Sequence, residues 1–204
     1  MVPDDRARPV RSRAGPRPAH LDEGRPMTAT QRRGRRIMMS DAERDAYLTG
    51  RRTCRVATVS PEGRPHVGAL WYVWDGTSLW LYSLTRSLRW SQLRHDPKIA
   101  VVVDDGAEYA ELRGVELSGE AEFVGEVPRE GAACPELELP ERMFASKYFG
   151  MDELPHDGRH AWLRLTPETV TSWDFRKLAD PAPDPGQPAP PEPAPRHAAP
   201  PPLP

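Results

Sequence analysis

Three short β-type segments lie within residues 54–84, and their spacing constrains the fold more than any other feature of the sequence. They are Cys54–Ser60 (CRVATVS), His66–Trp74 (HVGALWYVW) and Ser78–Leu84 (SLWLYSL), all rich in β-branched or aromatic residues. Turn residues separate them, with Pro61-Glu-Gly63 after the first segment and Asp75-Gly76 after the second. Connections this short join antiparallel neighbours, so these residues predict a three-stranded meander.

The segments on either side of the meander predict further strands and a few helices. Ser40-Asp-Ala-Glu43 fits a capping box for a short helix to about Leu48, which Gly50 can end. By the same kind of pattern, helices are predicted over Arg86–His95 and Leu139–Phe149, and strands over Ile99–Asp104, Glu111–Val124, Ala161–Leu165 and Val170–Phe175. Six to seven antiparallel strands with peripheral helices predict a mainly β fold, a small barrel. Gly114 and Gly119, inside a predicted strand, indicate a bulge or a close approach by backbone or ligand.

Composition divides the 204-residue chain into three regions. Residues 1–36 contain ten Arg and almost no apolar side chains, which predicts a disordered N-terminal arm. An arginine-rich arm can bind nucleic acid or an acidic surface. The simpler interpretations are a solvated tail or a start codon assigned too far upstream. Residues 179–204 hold 12 of the 25 prolines and predict a disordered tail. Residues 37–178 are mildly acidic and long enough to bury one core.

Several function classes lack their sequence signatures. Two cysteines, Cys54 and Cys134, are too few for a disulfide framework, and packing in a strand is the simpler role for Cys54. No apolar run approaches the roughly 20 residues that cross a bilayer, and no secretory signal is visible, so a cytoplasmic location is expected. The sequence contains no nucleophile-elbow motif, no P-loop motif and no dinucleotide-binding fingerprint. His156 and His160 have a metal-like spacing, but the Asp157-Gly158 turn signal between them argues against a metal site.

The segment Leu81–Pro97 (LYSLTRSLRWSQLRHDP) gives the clearest indication of a binding site. A strand ends in the hydroxyl residues Ser83 and Thr85, and Ser87 is suited to cap the helix that follows. The free N–H groups and partial positive charge of a helix N-terminus attract anions, and Arg89 adds a bidentate donor. The segment therefore predicts an anion site, with an ordinary helix cap and a solvated arginine as the alternative.

The order of these segments resembles a known family. The run GRPHVGALWYVWDG, a strand, the Ser-x-Arg helix start, DPKIAVVVD and then RGV is similar to the pyridoxamine 5'-phosphate oxidase-like split β-barrel flavoproteins. Among them it is closest to the deazaflavin-dependent oxidoreductases, which use coenzyme F420. The resemblance extends over about Ala42–Leu178. It implies a split β-barrel of the FMN-binding type and a homodimer with the cofactor in a groove at the subunit interface.

The resemblance also implies which residues contact the cofactor. Arg55 through Ser60 match the strand beside the tricyclic ring, Tyr82 with Ser83 matches a strand-end pair near the phosphate, and Ser87 with Arg89 matches the phosphate clamp. Trp71 lies in the strand that borders the groove, although core packing is the simpler role for it and for Trp74, Trp80 and Trp90. The predicted cofactor-binding residues are Arg55, Ser60, Trp71, Tyr82, Ser83, Thr85, Ser87, Arg89 and Arg113.

One departure from the family pattern bears on the activity. Arg113-Gly114-Val115 matches an Arg-Gln-Val stretch of the oxidases, so glycine replaces a flavin-contacting glutamine. The substrate-binding Arg/His motif of those oxidases is not visible either, and Trp173–Lys177 closes the fold as in the deazaflavin-dependent relatives. Both points argue against pyridoxamine phosphate oxidation.

The function expected from the sequence is therefore oxidoreduction of a small unsaturated molecule by hydride transfer, with coenzyme F420 as the first choice of cofactor and FMN as the second. Arg86 and Arg94 are candidates for the acidic tail of F420. No catalytic residue is predicted, although Tyr82, Tyr109 and His66 are candidate proton donors. A flavin-binding carrier or sensor without turnover is the alternative. Nucleic-acid binding is disfavoured because the middle region is acidic.

Overall fold

The structure is a computed structural model that describes residues 34–179. The strands are β1 (Thr53–Val59), β2 (Pro65–Trp74), β3 (Leu79–Leu84), β4 (Lys98–Asp105), β5 (Arg113–Val124), β6 (His160–Leu165) and β7 (Thr169–Asp174). The helices are α1 (Asp41–Gly50), α2 (Leu88–His95) and α3 (Pro135–Phe149), with short 3-10 turns at Tyr109–Glu111 and Phe175–Leu178. Almost all of the predicted arm and tail lies outside the described residues, so both stay predictions.

Strand β5 closes the barrel because it pairs along both of its edges. One edge pairs with β4 from Arg113 to Glu120. The other edge pairs first with β7, over Arg113–Ser118, and then with β6, over Ala121–Val124. Strands β4, β1, β2, β3 and β6 follow one another in antiparallel order, so six strands form a closed barrel and β7 adds a seventh. The predicted mainly β split barrel with six to seven strands and peripheral helices is confirmed.

The barrel interior is one apolar cluster, to which every barrel strand contributes alternate residues. Val56, Tyr72, Leu117 and Leu163 are each at most 1% exposed. The Tyr72 hydroxyl donates a hydrogen bond of 2.6 Å to the backbone carbonyl of Leu48 and so holds the end of α1 against the barrel. The start of α1 has the predicted capping box between Ser40 and Glu43.

A second apolar cluster lies outside the barrel, between its wall and α3. Val73, Trp80 and Trp162 of the strands pack against Leu137 and Phe144 of the helix. The cluster fixes α3 across the outer faces of β2, β3 and β6. The helix therefore forms one wall of the space beside the outer faces of these three strands.

The start of α3 corrects the sequence prediction, which placed it at Leu139. The helix begins at Pro135, with Glu136 and Glu138 in its first turn. Proline is favoured at the first helical position because its fixed φ suits the helix and its missing N–H has no partner there. Acidic residues in the first turn also favour this start. Pro140 lies inside the helix, where the pattern had indicated a position near its start.

The close approach expected at Gly114 is made by a neighbouring side chain. Gly114 of β5 pairs directly with Trp173 of β7. A Cβ atom at position 114 would lie 2.6 Å from Cε2 of Trp173, so the indole ring occupies the space that a side chain would need. The glutamine of the related oxidases therefore has no room at this position.

We expect Gly114→Ala to destabilise the fold, because the added methyl group forces the Trp173 ring and the β5–β7 pair apart. Overpacking of this kind typically costs about 1–3 kcal/mol. Urea unfolding measures it, with Gly50→Ala as the matched control, since a Cβ at Gly50 meets nothing within 4 Å. Equal urea midpoints for the two variants would show that the Trp173 ring moves aside without loss of stability.

Candidate functional site

The predicted anion-binding segment forms the connection from β3 to α2. Ser87 is the N-cap of α2, and its hydroxyl accepts a hydrogen bond from the Trp90 N–H, as predicted. Arg89, in the first turn, is only 8% exposed. Its Nη2 donates a hydrogen bond of 3.1 Å to the Ser83 hydroxyl, which is also buried. The sequence alternative of a solvated arginine is therefore wrong.

The Arg89 guanidinium has no carboxylate partner among the residues that the structure describes, and its buried Nε has no hydrogen-bond partner there. Room for it comes from Gly68 of β2, where a Cβ atom would lie 3.2 Å from Arg89 Nη1. Loss of water around the group lowers its pKa, an effect that the nearby Cys54 thiol opposes. A buried cation without a counter-ion favours the arrival of an anion.

A polar cavity of about 350 Å³ opens beside this helix start. Thr85 and Ser87 line it from the β3–α2 connection, and Gly158 and Arg159 line it from the loop before β6. The Thr85 backbone N–H and hydroxyl both donate to the Arg159 carbonyl at 3.0 Å, which joins the two walls. Arg86 also lines this cavity, so Arg86 and Arg159 give it two positive charges. Within the described chain, neither Arg86 nor Arg159 forms a side-chain ion pair.

An aromatic pocket of about 400 Å³ lies outside the barrel between β2, β3 and α3. Its lining residues are Trp71, Tyr82, Phe144, Phe149, Leu154, Pro155, His156, Asp157 and His160. Trp71 is 44% exposed and stacks on Tyr148 of α3, with ring centroids 4.4 Å apart. Core packing is confirmed for Trp74, Trp80 and Trp90, which are buried, whereas Trp71 faces the pocket.

Three of the predicted cofactor-binding residues are held by local partners away from these two cavities. Arg55 pairs with Asp104 of β4. Ser60 belongs to the β1–β2 turn, where its hydroxyl accepts from two backbone N–H groups. Arg113 Nε lies 3.0 Å from Asp174 Oδ2, and its guanidinium lies over the Tyr47 ring. Their roles towards a cofactor stay predictions.

The other six predicted residues fall into three places. Ser83 and Arg89 meet at the end of the barrel interior, Thr85 and Ser87 line the polar cavity, and Trp71 and Tyr82 line the aromatic pocket. The predicted phosphate clamp is thus divided, because the Arg89 side chain turns inward from its helix while the Ser87 side chain lies at the cavity.

The predicted structural role of Cys54 agrees with its surroundings. The residue is fully buried in β1, and burial raises the pKa of its thiol to about 12. Among the described residues, no group of three or more His, Cys, Asp or Glu side chains is placed to hold a metal ion. His156 contacts Glu141 and His160 contacts Asp157, so each imidazole has its own carboxylate partner, although both line the aromatic pocket. None of the described helices is both long and apolar enough to span a membrane.

Comparison with known proteins agrees with this architecture. The sequence model described as pyridoxamine 5'-phosphate oxidase matches residues 40–174. The chain belongs to this family. A search of curated proteins found no match.

Several solved structures are similar to this chain. The conserved hypothetical protein Rv2991 from Mycobacterium tuberculosis is 31% identical, with a TM-score of 0.62 over 77% of this chain and 98% of that chain. An F420 reductase is 24% identical, with a TM-score of 0.48 over 62% and 94% of the two chains. An FAD-binding protein from Mesorhizobium loti is 22% identical, with a TM-score of 0.50 over 66% and 93%.

Asp157, Arg159 and His160 line these cavities but were not among the predicted cofactor-binding residues. The Asp157-Gly158 turn signal counted against a metal site, but the same turn brings Asp157 back onto His160 and lines both cavities. An aspartate at the start of a turn commonly bonds to the backbone shortly after it, and this was the signal available.

We expect Arg89→Met to leave the protein without ligand as stable as the wild type, or more stable by up to about 1–4 kcal/mol, because it removes a buried, unpaired charge. Urea unfolding in a buffer free of multivalent anions measures this. The matched control is Arg94→Met, an exposed arginine of the same helix. A clear loss of stability in Arg89→Met alone would mean that the guanidinium serves the fold rather than a ligand.

Proposed function

We propose that the chain is a flavin- or deazaflavin-dependent oxidoreductase that uses coenzyme F420 to reduce a small unsaturated molecule. The observation that carries this is the pair of arginines Arg86 and Arg159, which line the polar cavity at the start of α2 and have no ion-pair partner in the described chain. The buried Arg89, in the first turn of that helix, has no ion-pair partner there either. Together with the Ser87 hydroxyl, Arg86 and Arg159 fit the phosphate of a flavin-type cofactor.

The number of arginines favours F420 over FMN. FMN carries one phosphate, whereas F420 carries a phosphodiester and an acidic tail. Arg86 and Arg159 both line the polar cavity, so a longer anion meets two positive charges along it. Arg94, also considered for the tail, lies in the last turn of α2 and does not line this cavity. Arg159, which the sequence had not indicated, takes its place.

The residues present fit such a cofactor, because Arg86 and Arg159 line the cavity without an ion-pair partner and Arg89 Nε has no hydrogen-bond partner in the described chain. When bound, the cofactor supplies a hydride, and the protein supplies orientation and electrostatics. In this proposal the arginines and the α2 N-terminus hold the anionic end. Trp71 and Tyr82 offer aromatic faces for a planar ring system. Pyridoxamine phosphate oxidation is disfavoured because Trp173 fills the space of the missing glutamine.

We further propose that the protein acts as a homodimer. The outer faces of β1 and β2 expose Val59, Val67 and Trp71, whose exposed fractions are 44%, 61% and 44%. An apolar sheet face of this kind is typical of an interface, and a second copy of the chain is the occupant that the family resemblance implies.

The dimer predicts a specific effect of charge on that face. Val67→Glu introduces a carboxylate at the most exposed apolar position of β2 and is expected to give a folded monomer, because the dimer would bury that charge without a partner. Sedimentation velocity measures the mass, and circular dichroism checks the fold. Glu116→Gln, on β5, is the control and should remain dimeric. A monomeric wild type would contradict the proposal.

Cofactor binding is the decisive test of the proposed function. The full chain is titrated separately with F420 and with FMN, and binding is followed by cofactor fluorescence. We expect tighter binding of F420, with Arg89→Met and Arg159→Met each weakening it about tenfold to hundredfold, because each removes a charge-assisted hydrogen bond. Arg94→Met is the control and should bind normally.

The other results of this titration separate the alternatives. Tighter binding of FMN would place the protein in the flavin branch. Binding of F420 without oxidation of its reduced form by any acceptor would favour the carrier or sensor. Binding of neither cofactor would overturn the proposal.

A further inference from the structure

A further cavity, of about 370 Å³, lies where α3 runs beside the ends of α1 and β2. We call it the lysine cavity, and its lining residues are Thr49, Val73, Trp74, Arg142, Met143, Ser146 and Lys147. None of them lines the polar cavity or the aromatic pocket. Val73 and Trp74 are buried, whereas Thr49 and Ser146 are exposed, so an apolar wall is open to solvent. The lysine cavity therefore suits a small molecule with an apolar body.

The amino group of Lys147 is held without a counter-ion. Its Nζ donates a hydrogen bond of 3.3 Å to the backbone carbonyl of Tyr72. It also lies 4.5 Å from the centroid of the Tyr72 ring and 5.6 Å from that of Tyr148. Within residues 34–179, no carboxylate forms an ion pair with it, and the bond to Tyr72 is its one hydrogen bond. A half-buried ammonium with three N–H donors is thus poorly solvated.

These surroundings favour the neutral amine. Burial, together with the positive charge of Arg52, lowers the pKa of Lys147 to about 8. The Cys54 thiol and the ring face of Tyr72 act in the opposite direction, but burial is the largest effect. The thiol and the Tyr72 and Tyr148 hydroxyls stay uncharged near pH 8, because burial raises the pKa of each. Near neutral pH, Lys147 therefore has a nucleophilic fraction that an ordinary lysine lacks.

The other lysines of the chain do not share these surroundings. The sequence has 25 arginines and three lysines, at positions 98, 147 and 177. Lys98 is exposed and lies 3.5 Å from Asp96, and Lys177 pairs with Glu43. An arginine keeps its proton and does not act as a nucleophile at neutral pH. Lys147 therefore brings to its cavity a reactivity that the abundant arginines cannot supply.

We propose that Lys147 is a covalent binding site for a small aldehyde with an apolar body, which it holds as a Schiff base in the lysine cavity. The neutral amine supplies the nucleophile, and the walls formed by Val73, Trp74 and Met143 hold the apolar body. This site is separate from the proposed cofactor site and goes beyond the proposed function.

The reaction needs no oxidant or reductant. The lone pair of Lys147 Nζ forms a bond to the carbonyl carbon, and the electron pair of the C=O bond passes to the oxygen. That oxygen takes up protons, one of them from the nitrogen, and leaves as water while the C=N bond forms. An ammonium and an aldehyde thus give a protonated imine and one molecule of water, and the addition of water reverses the step.

The product fits the surroundings of Lys147 better than the free ammonium does. A protonated imine of lysine has one N–H, and the Tyr72 carbonyl is the acceptor that the structure provides for it. Its positive charge can stay over the Tyr72 ring. The two further N–H donors of the ammonium, which have no acceptor in the described chain, are lost. The structure therefore favours capture over the free group.

Trapping with a simple aldehyde tests the proposal. The full chain is incubated at pH 7 with benzaldehyde and sodium cyanoborohydride, which reduces the imine to a stable amine, and peptide mass spectrometry measures the label at each lysine. We expect about tenfold more label at Lys147 than at Lys98 or Lys177, because more of its amine is neutral. The label at Lys147 should saturate with benzaldehyde concentration. Lys147→Arg should abolish this saturable labelling, and the control Lys98→Arg should keep it.

A second aldehyde separates binding in the cavity from a low pKa alone. The α-amino group at the start of the chain has an ordinary pKa of about 8 and serves as the internal reference. With benzaldehyde, we expect about fivefold more label at Lys147 than at the α-amino group, because the cavity buries the apolar ring. With formaldehyde, which has no apolar body, this preference should disappear.

The pH dependence gives a further check. Labelling of Lys147 should rise up to about pH 8 and then level off, whereas labelling of Lys98 should still rise above pH 9. Equal labelling of the three lysines, or labelling of Lys147 that does not saturate, would overturn the proposal. So would the same preference for Lys147 with both aldehydes. None of these results depends on whether the protein binds F420.

Discussion

The double pairing of β5 is the constraint on which the rest of the structure depends. The strand gives one edge to β4 and divides the other between β7 and β6. The change of partner occurs at Gly119, where a Cβ atom would lie 3.3 Å from Glu168 and leave little room. Because β6 is held there, it also lies against β3, with Leu84 opposite His160. Barrel closure thus brings together a helix start and a loop that are far apart in the chain.

Two chemically different cavities lie where the start of α2 meets the loop before β6. One is cationic and hydroxyl-lined, with Arg86, Arg159, Thr85 and Ser87 among its lining residues. The other is aromatic, with Tyr82 and His160 at its polar end. Both use the same turn before β6, so the two cavities lie next to each other. Such an arrangement suits a transfer reaction between two bound molecules.

Much of the fold was predictable because its signals are local. Alternation in β1, β2 and β3, the Asp75-Gly76 turn and the Ser40 capping box act within a few residues, and the structure has each of them. The inward course of Arg89 was not predictable, because the space for it is provided by Gly68 on another strand. His160 was missed for a similar reason, since the walls of its pocket come from β3 and α3.

The contact between Gly114 and Trp173 has an evolutionary consequence. The indole ring occupies the space of a side chain that the chain lacks at position 114. A larger residue there is acceptable only after position 173 has become smaller, so the two positions must change in a fixed order. Descent from a glutamine-bearing ancestor needs the reverse order, with the loss of the side chain at 114 preceding the gain of tryptophan. The two sites should therefore covary among relatives.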